Sequence, residues 1–147
     1  MSNQLLFFLT TLVLVAVLVL FGLNMKSLTN TQTAYETYLK YNEVRGIAIE
    51  KEGKLHTLNF NQQNRMIQIL NGATPTSPQS KGERTPVNFQ KIVIYQFKNK
   101  PDLIISPINY VDNNLVFNQT EWSSTGSLSE HSGGELKQTI EQGVSEK

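Results

Sequence analysis

The sequence predicts an α+β protein: one N-terminal transmembrane helix, a small domain of element order α-β-β-α-β-β-β with an antiparallel sheet, and a disordered C-terminal tail. Three observations predict it. Of the 19 residues from Leu5 to Leu23, 16 are apolar, and no charged side chain stands between Met1 and Met25. Downstream, short apolar runs are separated by turn residues, the pattern of strands and amphipathic helices. Beyond Trp122 only four of 25 residues are apolar, too few to offset the entropy of ordering them. The chain is therefore read as a signal-anchor helix over 1–25, a soluble domain over 26–122 and a flexible polar tail over 123–147.

The run LLFFLTTLVLVAVLVLFGL would extend about 28 Å as a helix, close to the ~30 Å hydrocarbon core of a bilayer. Thr10 and Thr11 can return their hydroxyls to helix carbonyls and oppose insertion little. A cleaved signal peptide is the competing reading. No Lys or Arg precedes the run, it exceeds the usual 7 to 15 residues, and no clean small-x-small site follows it. The expected partner of residues 5–23 is membrane lipid, and the expected topology is single-pass. Lys26 and Lys40 lean toward a cytoplasmic domain under the positive-inside rule. The Asn, Gln, Ser and Thr content and the lack of cysteine lean the other way, and an extracytoplasmic domain is expected.

Residues 31–45 place Ala34, Tyr35, Tyr38, Leu39, Tyr41 and Val44 at helical spacing, with Asn30 or Thr31 as N-cap and Gly46 as C-cap. The tyrosines are expected to pack on the sheet rather than anchor at headgroups. GIAIEKEGKLHTLNF then reads as a hairpin turning at Glu52-Gly53. A two-residue turn sets Lys51 opposite Lys54, Ile49 opposite His56 and Ile47 opposite Leu58, which leaves His56 at the margin of an apolar face. NFNQQNRMIQILNG reads as a helix capped by Asn59 or Asn61 and ended by Asn71-Gly72. Met66, Ile67, Ile69 and Leu70 form its buried stripe, Phe60 is its hydrophobic staple, and Gln62, Gln63, Asn64 and Gln68 form a solvated amide face.

ATPTSPQSKGERTP, residues 73–86, holds three prolines and reads as an exposed loop. Residues 87–97 have an unbroken apolar centre, Ile92 to Tyr95, and predict a central strand. The strand 103–111 carries Pro107, which cannot donate to a ladder and predicts an edge position or a bulge. A third strand, 115–122, follows a turn at Asp112-Asn113-Asn114, and a loop of Asn113-Asn114 would pair Tyr110 with Phe117. In the tail only Leu136 and Ile140 are spaced to form one amphipathic turn.

The chemistry available is narrow. Without cysteine there is no thiolate nucleophile or thiolate-held metal, and the only histidines, His56 and His131, lack metal-ligand spacing. The carboxylates fall at turns, helix surfaces and strand ends, as solvated charge does. No phosphate-cradling glycine pattern occurs, and the basic residues are scattered singly, which argues against nucleic acid. No catalytic, cofactor-binding or metal residue is assigned, no cofactor is expected, and an enzyme is not expected. With 25 Asn plus Gln residues beside a spanning helix, the expected role is a non-catalytic accessory or scaffold subunit bound to an integral membrane protein. The alternative is a membrane-tethered module that captures a peptide or small ligand on an exposed sheet edge, with Pro107 marking the edge.

Overall fold

A computed structural model describes residues 3–4, 8–17, 19, 37–77, 79–97, 99–123 and 126–145. The chain divides into two units, Met1–Glu36 and Thr37–Lys147. In the first, residues 8–17 (α1) are helical with their side chains exposed. Among the described residues no helix is long and apolar enough to cross a membrane. The rest of the 5–23 segment, and residues 31–36 of the expected juxtamembrane helix, lie outside the described residues.

The second unit is an α+β domain with an antiparallel sheet. Its strands are β1 (Val44–Lys51), β2 (Lys54–Thr57), β3 (Thr74–Pro75), β4 (Arg84–Thr85), β5 (Lys91–Gln96), β6 (Leu103–Val111), β7 (Asn114–Asn118) and β8 (Ser127–Ser129). They run in the order β2-β1-β5-β6-β7-β8-β3, with β4 also paired to β6. Two helices, α2 (Phe60–Asn71) and α3 (Glu135–Ser145), pack together, and α3 also packs on β1, β2 and β7. One hydrophobic cluster joins both halves of the sheet to both helices, from Ile47, Ile49 and Ile92 through Met66 and Leu70 to Phe117, Leu136 and Ile140.

The hairpin forms as its turn chemistry demands. Glu52 and Gly53 take φ of 53° and 74°, the left-handed pair that matches strand twist. Lys51 then pairs with Lys54 and Ile49 with His56, while the Leu58 amide donates to the Ile47 carbonyl at 2.9 Å. β5 is central, between β1 and β6. Its Ile92 and Ile94 are fully buried on the helix-covered face.

Five expectations are corrected. First, the described part of 31–45 is not helical. Leu39 is held by the Asn71 amide, which accepts from its N–H at 2.8 Å and donates to its carbonyl at 2.9 Å. Only a single 3₁₀ turn, Tyr41–Glu43, precedes β1. Second, of the edge or bulge expected at Pro107 the bulge is found and the edge is not, since Pro107 lies in an internal strand. It pairs with Phe117 of β7 at a register shift between Pro107 and Asn109. On its other side it sits between the stretch paired to β5, Leu103 to Ile105, and the stretch paired to β4, Tyr110 and Val111, so its missing donor costs no ladder bond there. Third, the turn after β6 uses Asp112 and Asn113, at φ 50° and 66°, and pairs Tyr110 with Leu115. The slip from the expected partner is two residues, so every side chain keeps its face.

Fourth, the 73–86 segment contributes two short strands, β3 paired to β8 and β4 to β6. Fifth, residues 123–147 are not a disordered tail over their described part. β8 extends the sheet beside β7, and α3 buries Leu136, Thr139, Ile140 and Gly143. The apolar count misled because Thr139 and Gly143 also fill interior space. A Cβ on Gly143 would overlap Leu58 Cδ2, so the glycine lets α3 approach the hairpin closely.

Candidate functional site

Helix α2 begins at a reciprocal capping box. The Asn59 side chain accepts from the Gln62 amide and the Gln62 side chain accepts from the Asn59 amide, each at 2.9 Å. The residue before the cap, Leu58, is buried, whereas Phe60 is 75% exposed, so Leu58 takes the inward position expected of Phe60. The amide face is also divided. Gln62 is buried in the cap and Gln63 donates to the Leu58 carbonyl at 2.6 Å, while Gln68 stays exposed.

Because α3 docks beside α2, the remaining polar side chains line a cleft between the helices. Its volume is about 420 Å³, and it is lined by Asn59, Asn61, Gln62, Asn64 and Arg65 of the α2 side and by Thr139 and Gln142 of α3. A second cleft of about 350 Å³, lined by Gln68, Ile69, Gly72, His131, Ser132 and Glu135, lies toward the other end of the same helix pair. Between them Arg65 Nε meets Glu135 Oε1 at 2.8 Å. Thr139 is already committed, its hydroxyl donating to the Glu135 carbonyl at 2.9 Å.

The start of α3 is built by a buried acid that the sequence reading left in the tail. Glu130 is fully buried, and its carboxylate accepts from the Leu115 amide at 2.7 Å and the Ser132 amide at 2.6 Å. Ser132 in turn accepts from the Leu136 amide at 3.0 Å, capping the helix. The local signal for this is Ser132 ahead of Leu136 and Ile140; nothing near Glu130 announces that its distant partner, Leu115, lies on β7. Tyr110 is packed close by, with Lys137 Nζ 5.2 Å from its ring centre. Burial, and then the Glu141 and Glu130 carboxylates, push its phenol well above the ordinary range.

The two histidines serve different surroundings. His56 is half-buried on β2, and His131 Nε2 shares a hydrogen bond of 2.6 Å with Thr74 Oγ1. Among the described residues no group of three or more His, Asp or Glu side chains is placed to hold a metal. Of the acids weighed from sequence, Glu43 pairs with Lys100 at 2.7 Å and Glu50 with Lys91 at 2.9 Å.

The face of the sheet away from the core cluster is the second candidate surface. Register places Ala48, Val93 and Ile104 in one row across β1, β5 and β6. Ala48 and Val93 of that row are buried, whereas Ile104 is 48% exposed, and Leu55, Phe97 and Ile108 are exposed to a similar degree. Tyr95 is covered by Arg45, whose guanidinium carbon lies 5.7 Å from the ring centre. Neither a protein family, nor a curated protein, nor a solved structure matches this chain.

Proposed function

We propose that this protein is a membrane-anchored, non-catalytic accessory or scaffold subunit of a larger membrane complex. Residues 5–23 sit in lipid and the domain is extracytoplasmic. Its partner is an integral membrane protein, met on the outer face of the sheet. The observation that carries this reading is Ile104, a large apolar side chain 48% exposed on β6 at the end of a row whose other members, Ala48 and Val93, are buried, with Leu55 of β2, 54% exposed, diagonal to Ala48. Large apolar side chains left half in water on a sheet face are surface that a partner would cover. Uncharged residues between Met1 and Met25 support the anchor.

The test is a photo-crosslinking amino acid placed at Ile104 in the full chain, with a second placed at Lys81 for comparison. One discrete integral membrane adduct from position 104 and none from position 81 is the expected result. Release of the chain by alkaline washing of membranes, or no discrete adduct, overturns the reading. A second reading, peptide capture by strand addition, is favoured by one observation: β2 is an end strand of the sheet. It moves the capture edge from Pro107 to Lys54–Thr57, and a crosslink from Leu55 to a soluble peptide would select it.

A further inference from the structure

We propose that the cleft between α2 and α3 binds a neutral oligosaccharide. The inference goes beyond membrane association and rests on a different part of the molecule. At about 420 Å³ the cleft lies within the range of small-ligand sites. Its floor is already satisfied, since the capping box engages Asn59 and Gln62 and the Thr139 hydroxyl is spent on α3. Its walls carry the amides of Asn61, Asn64 and Gln142, for which no hydrogen-bond partner is found among the described residues. Each amide both donates and accepts, as a sugar hydroxyl does, so the two sets match in kind.

Charge points the same way. The single charged side chain of the lining, Arg65, is paired with Glu135, so the site has no net field to select an ion. The bridge uses Nε, which leaves the terminal guanidinium nitrogens to donate to hydroxyl oxygens. No aliphatic or aromatic side chain lines the cleft to hold an acyl chain. An extended peptide is normally held by an open strand edge or by apolar side-chain pockets, and a seam between two helices provides neither.

Phe60 supplies the missing half of sugar recognition. It does not line the cleft, but it stands one helical turn before Asn64 and is 75% exposed, a position where its ring can cover the C–H face of a sugar ring. Length follows from the second cleft. Arg65 lines the first and Glu135 the second, so a chain of rings can pass over the ion pair from one to the other. The ligand class is thus an oligosaccharide rather than a single sugar.

The test uses the full chain in lipid nanodiscs, which avoids sugar-headed detergents, with chitotriose, cellotriose and maltotriose as probes in saturation-transfer NMR. At least one trisaccharide is expected to bind with Kd of about 1 mM, its ring C–H protons saturating most strongly. Phe60→Ala and Asn64→Ala should each weaken binding about tenfold, as loss of one well-used contact does. Tyr41→Ala, at an exposed aromatic away from the cleft, should not, and added salt should change little because no net charge is engaged. Unaltered thermal unfolding of Phe60→Ala would show that the loss is local. The proposal is overturned if none of the three saturates at about 10 mM, if Phe60→Ala and Asn64→Ala leave binding unchanged, or if the neutral tripeptide Ala-Gly-Ala displaces the sugar at equal concentration. None of these outcomes touches the anchor or the outer sheet face.

Discussion

The two helices of the domain are specified in opposite ways. Helix α2 carries its own instructions: an Asn59–Gln62 capping box, an apolar stripe at Met66, Ile67 and Leu70, and Gly72 at its end. Helix α3 has two large buried residues, Leu136 and Ile140, and an interior glycine. Alone it would be a poor helix, because glycine costs about 1 kcal/mol relative to alanine and short helices nucleate badly. Its order comes from elsewhere, through the Glu130 carboxylate, the Ser132 cap and the close approach of Gly143 to Leu58. A helix can be invisible to local pattern and still complete the core.

That contrast breaks first at Leu136. If α3 is as much a part of the core as α2, Leu136→Ala and Leu70→Ala, both fully buried, should each cost about 3 kcal/mol in urea unfolding. A loss under about 0.5 kcal/mol for Leu136→Ala alone would return α3 to the status of an appendage. Next is Gly143→Val, where the new side chain meets Leu58. It should cost about 2 kcal/mol and strip hydrogen-exchange protection from α3 while α2 keeps its own.

A pH test follows from Tyr110. Its phenol is raised in the folded state, so the neutral form is favoured by folding, and that stability is complete below the unfolded value of about 10. It is lost as pH climbs from there toward the folded value. The urea midpoint should therefore hold up to about pH 9 and fall as pH rises past about 10, and Tyr110→Phe should remove part of that fall while changing little near neutrality. Smaller still is the cap of α2: Asn59→Ala should cost about 1 kcal/mol and fray the first turn. Smallest is Arg65→Ala. The pair with Glu135 is 58% and 43% exposed on its two sides, and screening holds its worth to about 0.5 kcal/mol or less.

Legibility followed the range of the forces involved. The β1–β2 register was readable because Glu52-Gly53 fixes it within two residues, and α2 because cap and stripe are contiguous in sequence. The α+β class and antiparallel pairing followed from the same short-range patterns. What lay hidden depends on partners far along the chain. Leu39 stays outside a helix because Asn71 binds both its backbone groups. Pro107 is tolerated inside the sheet because the strands on its flank stop short of it. The α2–α3 cleft was half readable. The amides of Gln62 and Asn64 belong to the polar face that the sequence predicts, but Gln142 falls in a segment whose composition predicts disorder. Only the docking of α3 brings it beside them.

One consequence concerns how the protein is made. β1 lies between β2 and β5, yet β5 is encoded roughly 40 residues after β1 ends, a gap the ribosome takes about 2 to 8 s to translate. During those seconds the newborn hairpin carries Ile47 and Ile49 uncovered along an unpaired flank, the kind of surface to which holding chaperones attach. Slowing translation between codons 52 and 90 should therefore raise the yield of aggregated chain before it alters any property of the finished molecule.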